Sequence, residues 1–428
     1  MTTIQQHTAA QAAPTLGEAR DDLRLDPASA REMVAGAALT DRPPGPVGIE
    51  VEGHVHPLGR PDQHPDFAVI ARVVDEMASL PHGGRTTVEP GGQVEVSSAV
   101  HPDAATAVAA TRAEIALVRA RLREEGLAWV FLGADPVRPS RRLNPAPRYA
   151  CMEGWFDAQA DSGVDGRTMM CSTAALQVNV EAGRPHEWAA RVRRASRLGP
   201  MLTALTGTSA HLAGHDTGLV SARQRAWSGM DPLVSGPLDD TDDPVGTWTA
   251  RALAAPVMHL PDDAGDLRCA DADRSFAQWV EHPGDWPAAT AGDLRRHLTT
   301  LFPPLRLRGF LELRCLDSLP EPWWPAVVTA VVTWLDDERV HPTVDAALAP
   351  VAAHWSAATT VGLADPALAA AAVTCLDAAL AVVDLPAPDL AALAELRRLA
   401  ARGTSVGAQV ADDLRRRGAG PVLEELSR

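Results

Sequence analysis

The sequence predicts an α+β fold in which a sheet with one polar, acidic face curls into a bowl and is backed by helices. Four stretches alternate apolar residues with Glu, Gln, Asn or Arg at a period of two, the pattern of strands with one buried face. Segments between them, and everything beyond Pro320, carry apolar residues at helical spacing. The polar positions collect Glu50, Glu52, Glu95, Glu312 and Arg314, where a merely solvated face would mix Thr, Ser and Lys.

Residues 1–25 are polar and Gln/Ala-rich and read as a loose tail. Asp26-Pro27 opens a short helix to about Leu39, with Asp as N-cap and Pro in the first turn. A Pro/Gly linker, 42–46, delivers the chain to Val-Gly-Ile-Glu-Val-Glu-Gly at 47–53. Glu50 and Glu52 share one face there, Ile49 and Val51 the other. A like-charged pair at about 4 Å costs roughly 4 kcal/mol at an effective dielectric near 20, so such a pair calls for a positive partner or for water. By itself this stretch fits a solvated edge strand equally well.

Residues 66–80 have helical spacing, and 86–97 fold back at Pro90-Gly91-Gly92, placing Gln93, Glu95 and Ser97 on one face. A helix is expected over 102–126, a buried strand over 127–132, and a Pro/Arg-rich loop over 135–147 leading to Arg148 and Tyr149. Residues 173–181 alternate Leu176, Val178 and Val180 with Gln177, Asn179 and Glu181, and 187–205 form an amphipathic helix. Residues 221–236, with Arg223 and Trp227, read as an irregular polar loop, and 237–247 as an Asp-rich turn. Residues 305–317 read as a fourth alternating strand with Arg306, Arg308, Glu312 and Arg314 facing one way. The chain thus divides into a tail with a short helix (1–40), the sheet with its helices (41–320), and a helical part packed on the same domain (321–428).

Composition narrows the chemistry. A formal net charge of −16 argues against nucleic acid or an anionic membrane as partner. Lysine is absent, which excludes a Walker-A lysine, a kinase strand lysine and a Schiff base; phosphate or carboxylate must be gripped by arginine, backbone amides or metal. Five scattered cysteines without a Cys-x-x-Cys pair, no apolar leader and no apolar run of membrane-spanning length suggest a cytoplasmic protein. His54 and His56 lack zinc-site spacing and read as ordinary strand-end histidines; Cys171 and Cys315 read as buried, inert thiols. Hard carboxylate ligands without His or Cys suit Mg²⁺ or Mn²⁺ shared with substrate phosphates, so the residues suggest a metal–nucleotide site built on a sheet.

Gly48-Ile-Glu-Val-Glu52, Glu89-Pro-Gly-Gly-Gln-Val-Glu95, Arg148-Tyr149-x-x-Met152, Gln177-Val-Asn179, Arg223-Gln-x-x-Trp227 and Arg306-x-Arg-x-Phe-Leu-Glu-Leu-Arg314-x-x-Asp317 occur in this order. In this the chain resembles the plant- and actinobacterial-type glutamate–cysteine ligases, most of all the actinobacterial branch serving ergothioneine synthesis. The resemblance implies a funnel of antiparallel strands related to the glutamine-synthetase catalytic fold. It implies phosphorylation of the L-glutamate γ-carboxylate by ATP, then attack by the amine of L-cysteine. It further implies that Glu50, Glu52, Glu95 and Glu312 hold Mg²⁺ or Mn²⁺, and that Arg314 meets the transferring phosphate. Arg148, Tyr149, Gln177, Asn179, Arg223 and Trp227 would line the substrate pockets, with Glu89 and Gln93 at their margin. Two departures stand out. Val234 occupies the place of an arginine in the family's Asp-x-x-Arg-x-Gly, and Gly207-Thr-Ser-Ala-His211 replaces an Asn-Ser-Pro segment. Two other readings follow: a carboxylate–amine ligase with another acceptor, or a non-catalytic binding protein on the same fold.

Overall fold

A computed structural model describes residues 20–159, 163–261, 267–270 and 273–428. Most of the expected N-terminal tail, residues 1–19, lies outside the described residues. The short helix that follows is α1 (Pro27–Ala38), capped by the Asp26 side chain on the Ser29 amide as its sequence required.

The centre is an open seven-stranded sheet in which every pairing is antiparallel. β1 (Val47–Pro57) lies in its middle, with β2 (Arg85–Val88), β3 (Val94–Ser97), β4 (Leu127–Val130) and β5 (Ala175–Glu181) around it. Two small hairpins stand apart, β6 (His211–Leu212) with β7 (His215–Asp216) and β8 (His259–Pro261) with β9 (Leu267–Cys269). β10 (Leu305–Leu307) and β11 (Phe310–Asp317) complete the sheet on the far side of β5. β1 is long enough to serve three neighbours: β5 along Val47–Val51, β3 along Glu50–Gly53, and β4 along His54–Pro57. Gly53 sits at the changeover, where a Cβ would come within 2.5 Å of the Trp129 ring and 2.7 Å of Phe131.

The helices are α2 (Phe67–Glu76), α3 (Ala104–Glu124), α4 (Pro147–Ala158), α5 (Gly163–Ser172), α6 (Trp188–Thr206) and α7 (Ala222–Ser228), followed by the C-terminal series. Ile49, Val51, Val178, Val180, Leu311 and Leu313 belong to one hydrophobic core with Leu198 and Leu202 of α6 and Val327 and Val331 of the helix Trp323–Asp336. Burying each such side chain contributes about 1.5–3 kcal/mol relative to exposure, so the apolar back of the sheet dictates where the helices lie.

Three expectations are corrected. The stretch 305–317 is a hairpin rather than one strand: Gly309, at φ +80°, turns the chain, and Arg306 faces Glu312 across the pair. Residues 221–236 are not irregular: the Ser221 side chain caps α7 by accepting from the Gln224 amide, and Pro232–Ser235 is a further helical turn. The Asp-rich turn ends at Asp243, which caps the helix Pro244–Ala254. In the last two cases a polar helix start lacked the apolar periodicity that reveals a helix, and only its cap residue marked it.

Candidate active site

Antiparallel register carries one polar row across the sheet. Glu52 lies directly opposite Glu95, Glu50 opposite Ser97 on one side and Gln177 on the other, and Asn179 opposite Glu312. The amides of this row act as spacers between charges. Asn179 donates to Glu50 at 3.1 Å, and Gln177 donates to Glu52 at 3.0 Å while its own carbonyl accepts from Arg314. The second Glu52 oxygen accepts from the Ala175 amide at 2.8 Å. Glu95 accepts from the hydroxyls of Ser97 at 2.7 Å and Thr87 at 3.1 Å.

The carboxylates fall into two electrostatic classes. Burial first, and then Glu95 and Glu312, push Glu50 up to about 7. Burial and the facing Glu52 push Glu95 up to about 7. Burial also raises Glu52, against the pull of Arg223 and Arg314, and raises Glu89 strongly with Glu95 and Glu52 beside it. Glu312 behaves oppositely. It is fully buried, yet Arg306, Arg314 and Arg308 overcome the desolvation and hold its pKa far below the usual range. Arg306 binds it with two nitrogens, one of them at 3.0 Å, Arg308 donates at 3.2 Å, and Arg314 lies 3.5 Å away.

Two cavities open on this row. The first, of about 230 Å³, is lined by Glu50, Glu52, Glu89, Gln93, Glu95, Arg148, Tyr149, Gln177, Trp227, Arg306 and Arg314, with Met152, Met169, Met170 and Phe302 on its apolar side. The second, of about 320 Å³, is lined by Gly48, Glu50, Arg85, Glu95, Val100, Asn179, Arg308 and Phe310 among others. Glu50 and Glu95 line both and form the wall between them.

Most of the expected site residues therefore meet: Glu50, Glu52, Glu89, Gln93, Glu95, Arg148, Tyr149, Gln177, Trp227 and Arg314 share one cavity, and Asn179 lies in its neighbour. Arg148 is anchored on Thr299 by bonds of 2.7 and 3.1 Å, and Gln93 donates to the Thr173 carbonyl at 2.7 Å. Two residues lie elsewhere. Arg223 is 1% exposed and lines neither cavity; its guanidinium lies 4.8 Å from the Trp227 ring centroid and donates to the Arg314 carbonyl at 2.7 Å. Glu312 also lines neither: it lies in the row opposite Asn179, fully buried against arginines that do line the cavities. Sequence reasoning gave no site role to Arg306 and Arg308, although the alternation placed them on the correct face. Thr299 and Phe302 carried no signal at all.

The site fits a divalent cation in its donor chemistry. Glu50, Glu52, Glu89 and Glu95 are hard oxygen donors whose mutual repulsion a cation would relieve. Among the described residues no three carboxylate, imidazole or thiol groups form a ready cage for a metal ion.

His54 lies inside β1 and His56 one residue from its end. Burial lowers them to about 3 and about 4, and a buried Asp135–Arg138 pair stands close by. The five cysteines are free, and burial pushes Cys171 and Cys315 up to about 12, which suits inert thiols. No helix among the described residues is long and apolar enough to cross a membrane.

The profile of Glutamate-cysteine ligase family 2 (GCS2) matches residues 46–428. The chain is 43% identical over 364 residues to glutamate–cysteine ligase EgtA of Mycobacterium tuberculosis, covering 84% of each chain. It is 39% identical over 403 residues to the protein of that name from Mycolicibacterium smegmatis, covering 92% of this chain and 93% of that one. Similarity extends to the chloroplastic glutamate–cysteine ligase of Nicotiana tabacum, at 28% identity over 61% of this chain. Among solved structures, a glutamate–cysteine ligase from Francisella tularensis in complex with AMP shares the fold, with a TM-score of 0.56 at 13% identity over 91% of this chain and 88% of that one.

Proposed function

The chain belongs to the glutamate–cysteine ligase family GCS2, and from that premise we propose how its two cavities divide the work. The enzyme joins the γ-carboxylate of L-glutamate to the amine of L-cysteine with ATP, through γ-glutamyl phosphate, and releases ADP and phosphate. Its product, γ-glutamylcysteine, serves ergothioneine synthesis, and the enzyme works in the cytoplasm.

The observation that carries the assignment is the shared wall. Glu50 and Glu95 face both cavities, so a group in one can react with a group in the other only across them. The first cavity takes the amino acids: Arg148 and Tyr149 meet carboxylate groups, Gln177 completes the floor, and Trp227 with the methionines receives apolar parts. The second takes the nucleotide, its base against Phe310 and Val100 and its phosphates toward Arg308, Asn179 and the wall. Glu50, Glu52 and Glu95, with Glu89 beside them, would supply carboxylate oxygens to Mg²⁺ or Mn²⁺, which would offset the charge of the carboxylates and of the triphosphate. Arg314, fixed by Gln177 and 5.6 Å from the Trp227 ring centroid, meets the phosphoryl group as it moves. Glu312 orients the three arginines, a role its saturated oxygens support better than metal ligation.

The test is turnover of the purified chain with ATP, glutamate and a panel of amines. ADP with phosphate, a preference for cysteine, and trapping of a γ-hydroxamate by hydroxylamine are expected. AMP with pyrophosphate would reject the mechanism, and ADP without preference for cysteine would reject the acceptor.

A further inference from the structure

Behind Trp227, away from both cavities, the polar interior converges on one carboxylate. Asp317 ends β11 and is 1% exposed. Its Oδ2 accepts from the Thr208 amide at 2.9 Å and the Ser209 hydroxyl at 2.6 Å. Its Oδ1 accepts from the Ser221 hydroxyl at 3.0 Å and lies 3.8 Å from Nη1 of Arg223. The adjoining backbone leaves room for this group, since a Cβ at Gly133 would fall 2.3 Å from it. Burial raises the pKa of Asp317 while Arg223 opposes the rise; burial lowers that of Arg223 while Asp317, then Glu52, sustain its charge. Each buried charge depends on the other.

Arg223 passes this constraint on. Its backbone amide donates to the Ser209 hydroxyl at 3.1 Å, and its Nη2 donates to the Arg314 carbonyl at 2.7 Å. The guanidinium groups of Arg223 and Arg314 lie 4.8 and 5.6 Å from the centroid of the same Trp227 ring. Arg314 then donates to Gln177, which donates to Glu52. Ser221, held by Asp317, is also the N-cap of α7, the helix that carries both Arg223 and Trp227.

We propose that Asp317 is a positioning residue for the phosphoryl-transfer step, acting through Arg223 to hold Trp227 and Arg314 against Gln177 and Glu52. It touches no substrate itself. This rests on the ligase reading above and adds to it a residue whose effect is transmitted rather than direct. A small displacement of a transition-state group costs about 10²-fold in rate, so the anchor is expected to govern turnover more than affinity.

The experiment is a double-mutant cycle in the full chain with D317N, R223Q and the pair. D317N keeps an acceptor oxygen for the hydroxyls but removes the charge opposite Arg223. D317N should lower kcat roughly 100-fold with KM for ATP and glutamate nearly unchanged, and should add no more than about twofold in the R223Q background. An undiminished loss in that background, or a loss confined to KM, would overturn the proposal. Should D317N fail to fold, S221A keeps both charges and removes the hydroxyl that binds Asp317 and caps α7; roughly tenfold in kcat is expected, and wild-type kcat would overturn the proposal. Melting temperatures of the same variants read the link without the reaction: non-additive losses are expected, and additive ones reject it. A wild-type chain that makes no ADP from ATP, glutamate and cysteine would reject the ligase reading and this step with it. An active wild type whose kcat survives D317N rejects the positioning role alone.

Discussion

Replacing Glu95 by Gln should make the metal-free protein more stable and the enzyme nearly inactive, two effects that rarely go together. Glu95 is 9% exposed and directly opposes Glu52, and its pKa in the folded chain is about 7 against a usual 4.5. The sign follows from that direction. A carboxyl whose pKa is raised on folding binds its proton more tightly in the folded state, so its ionised form destabilises the fold. The destabilisation is complete above about pH 7 and disappears as pH falls through the interval to 4.5. At 1.36 kcal/mol per pH unit, the shift corresponds to about 3 kcal/mol at pH 8. Glutamine keeps an oxygen to accept from Ser97 and Thr87, so most of that gain should survive. For a chain of this size, about 3 kcal/mol is a rise of a few degrees in melting temperature. The assay is thermal unfolding of wild type and E95Q, with chelator, at pH 8 and pH 5, beside steady-state turnover with Mg²⁺. E95Q should melt higher than wild type at pH 8, the gap should close toward pH 5, and turnover should fall by orders of magnitude. A variant that melts lower at pH 8, or keeps near wild-type turnover, would refute the reasoning.

Arg314→Lys keeps the charge but loses the planar fork that donates to Gln177; on the proposed phosphate role, kcat should drop about 10²-fold or more with little change in KM for ATP. Glu312→Gln leaves three arginines around a neutral group, and denaturant unfolding should show a loss of about 3–5 kcal/mol; wild-type stability would remove Glu312 from the centre of that network. Phe310→Ala should raise KM for ATP and Arg148→Ala KM for an amino acid, each sparing the other substrate; the reverse pattern would exchange the two cavities. Chelator should abolish turnover and Mg²⁺ restore it, while activity that persists in chelator would reject the metal assignment.

The period-two pattern made the floor of the site legible because antiparallel register preserves faces from strand to strand. Once Glu50 and Glu52 share a side of β1, pairing forces Glu95, Gln177 and Asn179 onto the same side. The same logic hid the turn at Gly309. The residues between β10 and β11, Arg308 and Gly309, are two in number, so the alternation continues in phase across them and a hairpin reads as one strand. What alternation cannot supply is what lies above or below a face. Arg223 pairs with Asp317, distant in sequence, and Glu312 is enclosed by the arginines of its own hairpin; only the packing shows that neither lines a cavity. The roof was equally hidden, because Thr299 and Phe302 come from a connection without periodicity.

The two departures from the family pattern acquire a physical meaning once the supporting layer is considered. Val234 is fully buried among methionines and aromatics, including Met230, Met258, Trp227 and Phe302, so the position that would carry an arginine here belongs to an apolar wedge behind the first cavity. An arginine there would need a buried partner, and Arg223 and Asp317 already form the buried ion pair beneath Trp227. The segment Gly207–Ser209, within the second departure, turns its Thr208 amide and Ser209 hydroxyl onto Asp317, and neither Val234 nor this segment lines either cavity. Both departures therefore fall on the scaffold that holds Trp227 and the arginines, while the row from Glu50 and Glu52 to Glu95 and Gln177 that faces the cavities is complete. In a chain without lysine, that scaffold decides how the arginine forks facing the cavities are aimed.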